Sequence, residues 1–197
     1  MYPFVESIKA KNGELFNMTY HNRRFNRTRS GIFGIEAAMN LESIIPAEKS
    51  RGGLYKCRVI YLEEIIEIEF QPYYKKSVNT LRVVHDNIID YTYKSADRKL
   101  LNLLLARKEN ADDIIIVKNN LVTDSFSANL VFWNGEEWHT PERPLLRGTK
   151  REKLLDERII KEKNIGVEDI LNYQKVSLIN AMIDLEEIIV PIERVRY

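Results

Sequence analysis

Four short stretches of the chain carry side chains whose types and spacing suit binding or catalysis. The first is HNRRF, in which His21 and Arg24 would share one face of a helix. A guanidinium on that face can bind a phosphate through two parallel hydrogen bonds. The neighbouring Arg23, Arg27 and Arg29 leave two alternatives open, a solvated basic face and a nucleic-acid patch.

The second stretch is YKSADRKLLN, where Lys94 follows Tyr93 directly before a helical pattern. A lysine in a cleft loses solvation, which lowers the pKa of its amine and lets it form a Schiff base with a carbonyl group. The chain contains 30 lysines and arginines, so an ordinary solvated lysine is the alternative interpretation.

The third stretch carries Asp124 after the strand-like LVT, with Asn129 in SANLVF. A carboxylate in this position can face the ring nitrogen of pyridoxal phosphate (PLP), whose protonated ring is the electron sink for substrate carbanions. Taken alone, Asp124 is also typical of a turn or a helix cap.

The fourth stretch is GTKR, where Gly148 precedes an amphipathic helical pattern. Free backbone amides at a helix N-terminus bind phosphate, and a glycine there allows close approach. The stretch is not a P-loop, because the upstream glycine of that motif is absent.

The elements that must position these residues alternate between helices and strands. Asn12-Gly13 predicts an early hairpin, residues 19–33 and 35–44 predict helices, and YKCRVIYL, IIEIEF and TLRVVH predict a sheet in the first half. A helix over ADRKLLNLLLARKEN, short strands, a helix from Gly148, a short helix over VEDILNY and two closing strands follow. We therefore predict a mixed α/β (α+β) fold with an N-terminal lobe over residues 1–90 and a C-terminal lobe over residues 91–197.

Composition excludes some classes of function. Thirty basic residues oppose 29 acidic ones, so no global field favours nucleic acid or an anionic membrane. No apolar run approaches the roughly 20 residues that span a bilayer, and no leader pattern is visible at the start. With the single Cys57, these features predict a cytoplasmic protein. His21, His85 and His139 lie far apart, so no metal site is expected.

Taken in order, the stretches resemble the class IV aminotransferase family, the PLP enzymes of fold type IV. VESIK and HNRRF resemble the family's Phe-Glu-Thr-Ile-Arg and His-x-x-Arg-Leu runs, and YKSADRKLLN resembles the segment of its Schiff-base lysine. TDSFSANLVF is similar to its Thr-Glu-x-x-x-x-Asn-x-Phe run, and GTKR to its Gly-Ile-x-Arg run. The resemblance extends from Val5 to Pro191, and the order of five motifs makes it specific.

The resemblance implies a two-lobed, D-amino-acid aminotransferase-like fold with PLP in the interdomain cleft. Lys94 would be the catalytic residue that holds the cofactor, Asp124 would keep the ring protonated, and Arg24 would bind the phosphate. Typical members are homodimers acting on small-molecule amines, and we expect the same here. The residues that the resemblance assigns to the cofactor are Arg24, Lys94, Asp124, Asn129, Thr149 and Lys150.

Three features resemble 4-amino-4-deoxychorismate lyase, which releases pyruvate and makes 4-aminobenzoate for folate synthesis. They are KSADR, VTDSFSANLVFWNGEEWHTP and LINAM. Aminotransferases for branched-chain or D-amino acids are similar over the same stretches, and a PLP-fold protein without catalysis is the third alternative. Arg58, Asn180 and Ala181 are candidates for binding a substrate carboxylate, although Arg58 is equally typical of an ordinary strand arginine.

The chain departs from the family pattern in two ways. It starts at a strand that other members reach only after further residues, so the N-terminal lobe is expected to be shortened at its start. Asp124 is also one methylene shorter than the usual glutamate, so backbone position must make up its distance to the ring nitrogen.

Overall fold

The computed structural model describes residues 2–197, which divide by their internal contacts into two compact units. The first unit comprises residues 2–75 with Tyr93–Asp97, and the second comprises Lys76–Thr92 with Arg98–Tyr197. Each unit mixes helices and strands. The division into lobes at residues 90 and 91 stays a prediction.

The first unit is an antiparallel sheet with one long helix. Its elements are β1 (Phe4–Lys11), β2 (Glu14–Leu15), α1 (Met18–Phe33), β3 (Leu54–Tyr61) and β4 (Ile65–Pro72), with strand order β2-β1-β3-β4. The predicted hairpin is confirmed, because Asn12 and Gly13 both have positive φ, 53° and 88°, between paired Lys11 and Glu14. Two adjacent positive φ values match the twist of the flanking strands.

Strand alternation builds the core of this unit. Phe4, Ile8 and Ala10 point to the same buried face of β1, where they join Phe25 of α1. Neighbouring β3 presents apolar side chains to the same core, namely Cys57, Val59 and Tyr61. Glu6 lies among these apolar residues with no exposed surface.

The predicted helix over residues 35–44 is wrong. Within this range only a short 3-10 turn occurs, at Leu41–Ser43, and a second one follows at Ala47–Ser50. Side chains of α1 bind the backbone of this segment instead: Asn22 accepts from the Leu41 amide and Asn26 from the Met39 amide, each at 2.9 Å. The segment therefore follows α1 as a loop, and its backbone groups are paired without a helix.

The second unit contains two sheets and two α-helices. One sheet has the order β13-β5-β6-β7 and the other β10-β9-β8-β11-β12. The 3-10 turns Ala106–Lys108, Glu168–Asn172 and Ile192–Arg194 also belong to it, and the middle one replaces the helix predicted over VEDILNY. The elements are β5 (Leu81–His85), α2 (Lys99–Leu105), β6 (Asp113–Lys118), β7 (Leu121–Val122), β8 (Asn129–Trp133), β9 (Trp138–Pro141), α3 (Thr149–Asp156), β10 (Ile160–Lys163), β11 (Lys175–Ile179), β12 (Ile189–Pro191) and β13 (Val195–Arg196).

Strand β5 was expected in the sheet of the first half, and this expectation is wrong. It pairs in parallel with β6, with Leu81 opposite Asp113. Leu81 and Val83 enter one apolar cluster, while Val84 enters another with Leu101 of α2. A strand that is apolar on both faces suits a central position in a covered parallel pair rather than an antiparallel sheet with one solvated face.

Candidate active site

The segment around Lys94 pairs with the start of β1. The Val5 amide donates to the Lys94 carbonyl at 2.9 Å, and Phe4 and Ser95 form an isolated antiparallel bridge. Tyr93, the preceding residue, packs edge-on against Phe4, with ring centroids 6.2 Å apart. Backbone hydrogen bonds therefore fix Lys94 within the first unit beside the strand that carries Glu6.

Glu6 is the centre of a buried cluster with His21 and Arg24. Arg24 donates to both carboxylate oxygens, through Nε to Oε1 at 2.9 Å and through Nη2 to Oε2 at 2.6 Å. His21 Nδ1 lies 2.6 Å from Oε2. The side chains of Glu6 and His21 are fully buried, and that of Arg24 is 5% exposed. The predicted sharing of a helix face by His21 and Arg24 is confirmed.

The contacts between these three side chains determine which of them are ionised. Burial alone would raise the pKa of Glu6, but Arg24 and the hydrogen bond from His21 hold that pKa at about 2. The pKa of His21 is lowered by burial, and the positive charges of Arg24 and Lys94 add to this effect. His21 is thus neutral at physiological pH, and its Nδ1–H donates to the Glu6 carboxylate.

Sequence reasoning missed Glu6, although the signal was present. In FVESIKA, residues at alternate positions face one side of a strand, and Glu6 falls between Phe4 and Ile8 on the apolar side. A carboxylate in an otherwise apolar stripe needs a buried partner. The helical pair of His21 and Arg24 was the natural candidate for that partner.

Asp124 and Asn129 lie together in the second unit, where they form an isolated antiparallel bridge. Asn129 Nδ2 donates to Asp124 Oδ1 at 2.7 Å and to the Leu146 carbonyl at 2.8 Å, and the Leu146 amide donates to Asp124 Oδ2 at 2.8 Å. Burial raises the pKa of Asp124 to about 6 despite these bonds and the nearby charge of Arg151. The site therefore holds a desolvated carboxylate that a further cation would stabilise.

Gly148 and α3 adjoin this framework. A Cβ at Gly148 would collide with Asn129 Oδ1, so glycine is required where the amide of Asn129 packs against the start of the helix. Thr149 begins α3 and is buried, and Gly148 at the N-cap position has no side chain with which to cap the helix. The first amides of α3 therefore lie beside the residues that bind Asp124, and helix N-termini of this kind attract phosphate.

The charged side chains of α3 have protein partners. The Lys150 ammonium forms an ion pair with Asp184, so a role in phosphate binding would fall to its backbone amide, as the resemblance implies. Arg151 is buried and donates through Nη2 to the Pro141 carbonyl at 2.8 Å and to Glu162 at 2.7 Å. Its Nε is buried without a hydrogen-bond partner.

The candidate substrate residues lie in two places. Arg58 is opposite Ser7 in the sheet, on the face away from Glu6, and forms an ion pair with Glu69 at 3.1 Å. Asn180 closes a tight turn by accepting from the Met182 and Ile183 amides, and its Nδ2 donates to the Ser127 carbonyl at 3.1 Å. Ala181, within that turn, is half-buried.

The two units therefore hold different sets of candidate residues. In the first unit, the Lys94 segment pairs with β1 at Val5, next to the Glu6 that binds Arg24. The second unit holds Asp124, Asn129, Thr149, Lys150, Asn180 and Ala181. The roles assigned to these residues stay predictions.

The sequence predicts neither a metal site nor a membrane span. Among the described residues, no group of three or more His, Cys, Asp or Glu side chains could hold a metal ion. No helix in that part of the chain has the length and apolar character needed to cross a membrane. His139 serves local contacts, with Nδ1 3.1 Å from the Tyr173 hydroxyl and Nε2 2.8 Å from Glu137.

The chain is similar to known proteins over most of its length. Residues 4–190 match the family described as Amino-transferase class IV. An uncharacterised protein of Haemophilus influenzae is 39% identical over 185 residues, covering 92% of this chain and 98% of that protein. A solved structure from Haemophilus somnus 129pt, named as a candidate 4-amino-4-deoxychorismate lyase, is 35% identical with a TM-score of 0.87. It covers 94% of this chain, which in turn covers 98% of that one.

A more distant structure has the same fold. A hypothetical aminotransferase from Mycobacterium tuberculosis, solved in its PLP-bound form, is 14% identical with a TM-score of 0.79 over 98% of this chain and 81% of that one. The predicted mixed α/β fold of class IV aminotransferases is confirmed. The chain belongs to the class IV aminotransferase family, a family of PLP-dependent enzymes.

Proposed function

We propose that this protein is a PLP-dependent enzyme in which Lys94 holds the cofactor, and that its reaction is the 4-amino-4-deoxychorismate lyase reaction. The observation that carries the cofactor assignment is the framework of Asp124, Asn129 and the start of α3. The carboxylate of Asp124 is desolvated, with its pKa raised to about 6, and it is bound by the same asparagine that packs against Gly148. The proposed acceptor for the ring N–H and the proposed phosphate-binding amides thus belong to one hydrogen-bonded framework.

The residues present fit PLP by their chemistry. Bound PLP supplies an electron sink that stabilises a carbanion at the substrate carbon. Asp124 would accept the ring N–H and keep the ring nitrogen protonated, and the Thr149 and Lys150 amides would bind the phosphate. Arg24 would add positive charge, although the carboxylate of Glu6 already binds its Nε and Nη2.

Lys94 has two tasks in this proposal. Its amine would hold the cofactor covalently and, once displaced by the substrate amine, would move a proton at the substrate carbon. The neighbouring cluster adds no net charge beside the Lys94 segment, because the charges of Glu6 and Arg24 cancel and His21 is neutral.

The lyase assignment is supported by likeness to the Haemophilus somnus protein, which is 35% identical and named as a candidate lyase. In that reaction, loss of pyruvate from the ring ether gives 4-aminobenzoate for folate synthesis. An aminotransferase for branched-chain or D-amino acids would use the same cofactor residues and differ in where the proton returns. We further propose a homodimer, as expected from the family, and a cytoplasmic location, as expected from the composition.

Reconstitution with PLP tests the cofactor assignment. We expect the purified protein to turn yellow with PLP, and borohydride to lock the cofactor onto the peptide that contains Lys94. Lys94→Ala should show neither effect, whereas Lys99→Ala, which removes an exposed lysine five residues further on, should behave as wild type. A colourless wild type without a modified lysine would refute the PLP proposal.

Substrate assays on the loaded protein test the reaction. Pyruvate and 4-aminobenzoate formed from aminodeoxychorismate, with no keto acid from amino acids, would support the lyase. Keto acid formed from branched-chain or D-amino acids would instead identify an aminotransferase. A yellow protein inactive in both assays would favour a PLP-fold protein without catalysis.

A further inference from the structure

Asp124 lies at the base of a hairpin whose tip contacts other elements of the second unit. The tip spans residues 125–128 and closes through the Ser125 amide, which donates to the Ala128 carbonyl at 2.9 Å. The Ser125 hydroxyl accepts from the Ala128 amide at 3.1 Å. Phe126 at this tip is half-buried and Ser127 is exposed, so burial of these two side chains alone does not fix the position of the tip.

Arg98 contacts Phe126 in two ways. Its Nη2 donates to the Phe126 carbonyl at 2.6 Å, and its guanidinium carbon lies 4.2 Å from the centroid of the Phe126 ring. A planar guanidinium can donate in its plane and stack on an aromatic face at the same time, whereas an ammonium lacks that plane. The contact therefore uses properties specific to arginine.

Asp113 also binds the backbone of Phe126. Asp113 is the first residue of β6 and is 8% exposed, and its Oδ1 accepts from the Phe126 amide at 3.3 Å and from the Ile114 amide at 2.7 Å. Burial raises the pKa of Asp113, and the positive charge of Arg98 is one of the influences that oppose this rise. The amide, carbonyl and ring of Phe126 are thus all engaged by a pair of opposite charges.

The carboxylate of Asp124 depends on this hairpin for its position. Its backbone carbonyl accepts from the Ile116 amide of β6 at 2.8 Å, and its bridge to Asn129 spans the base of the tip. A tip that moves would move Asn129 relative to Asp124, and Asn129 is the residue that also binds the Leu146 carbonyl. Displacements of about 1 Å at such a site can lower the rate of reaction by about a hundredfold.

We propose that Arg98 is a positioning residue that acts through Phe126 to hold the Asp124–Asn129 hairpin in the geometry that a cofactor ring requires. The inference rests on the proposed function and deepens it. Arg98 follows Lys94 by four residues, so one short segment of chain would supply both the covalent anchor of the cofactor and the clamp on its ring acceptor.

Arg98→Lys tests this inference, with Arg107→Lys as the matched control. Arg107 also donates to a backbone carbonyl of the second unit, that of His85 at 3.0 Å, and the same substitution there leaves the hairpin untouched. In apo protein, carbon-13 NMR of the Asp124 carboxyl should give a pKa for Arg98→Lys below that of wild type, because a loosened tip admits water. PLP affinity should fall about tenfold or more. Arg107→Lys should leave both quantities unchanged.

Each outcome decides the inference. If Arg98→Lys titrates and binds PLP as wild type does, or if both variants lose affinity equally, Arg98 does not position Asp124. If wild type fails to bind PLP, the proposed function fails, while the Asp124 titration still tests the clamp. If Arg98→Lys does not fold, Phe126→Leu replaces it, since this variant removes the ring contact and keeps the backbone bonds; an unchanged Asp124 titration there would also overturn the inference.

Discussion

Glu6 is a carboxylate without exposed surface whose ionised form persists because two neighbours compensate for its lost hydration. Arg24 binds both of its oxygens, and neutral His21 donates to one of them. The three residues come from one strand and one helix, so the cluster fixes α1 against β1 at the point where the Lys94 segment pairs. Glu6 therefore has a structural role in addition to its place in the proposed active site.

Glu6→Gln should destabilise the protein strongly, because it leaves the buried guanidinium of Arg24 without a counter-charge. We expect the free energy of unfolding to fall by about 3 kcal/mol, measured by urea denaturation of apo protein at neutral pH. Glu69→Gln is the control, since Glu69 is 39% exposed and pairs with Arg58 at the surface. Its effect should stay within about 1 kcal/mol, and equal effects of the two variants would contradict the proposed weight of the cluster.

Asp124 predicts a pH dependence of opposite sign to that of Glu6. Its folded-state pKa of about 6 lies above the ordinary value of 3.8, so the folded state holds the proton more tightly. Stability from this group is present at low pH and is lost as pH rises from about 4 through about 6, by roughly 3 kcal/mol. Asp124→Asn removes this pH dependence. The free energy of unfolding of wild type should therefore fall relative to that of the variant as pH rises across that range. A pH-independent difference would contradict the raised pKa.

Helix α1 depends on a glycine where it meets the Lys94 segment. A Cβ at Gly31 would collide with the Tyr93 hydroxyl oxygen and lie 3.2 Å from the Tyr93 Cζ. Tyr93 directly precedes Lys94, so the absence of a side chain at Gly31 sets how closely that segment approaches the helix. The interior of a helix otherwise favours alanine over glycine by about 1 kcal/mol.

Gly31→Ala should therefore lower thermal stability although its helix propensity is higher. Tyr93→Phe removes the colliding oxygen, so the double variant should recover part of the loss, with the nearby ring carbon preventing full recovery. Thermal unfolding of the two single variants, the double variant and wild type gives the coupling, which we expect to exceed about 0.5 kcal/mol. Additive effects would mean that the helix and the tyrosine do not meet in this way.

For the whole molecule, we predict a homodimer, as is typical of the family. Light scattering coupled to size-exclusion chromatography should give twice the chain mass at micromolar concentration, with and without PLP. A monomer under both conditions would refute this prediction. A dimer seen only with PLP would instead indicate that the cofactor stabilises the interface.

Much of the local structure was predictable because its causes are local. The hairpin at Asn12-Gly13 follows from two residues that tolerate positive φ, and the pairing of β3 with β4 follows from adjacent β-rich runs. The order of the motifs was also enough to identify the family. These inferences depend on neighbours in sequence, on strand and helix periods, and on turn chemistry.

The sequence by itself thus determined the family and the mixed α/β class, and its motifs predict the candidate cofactor residues. The tertiary structure decided which partners they have: Glu6 for Arg24, Asp184 for Lys150, and β6 for β5. Such partners are distant in sequence, and burial selects them, because a desolvated charge or a strand apolar on both faces is stable only with a particular neighbour. A local pattern can indicate that such a partner is needed, as the apolar stripe around Glu6 does, but it does not contain the contact itself.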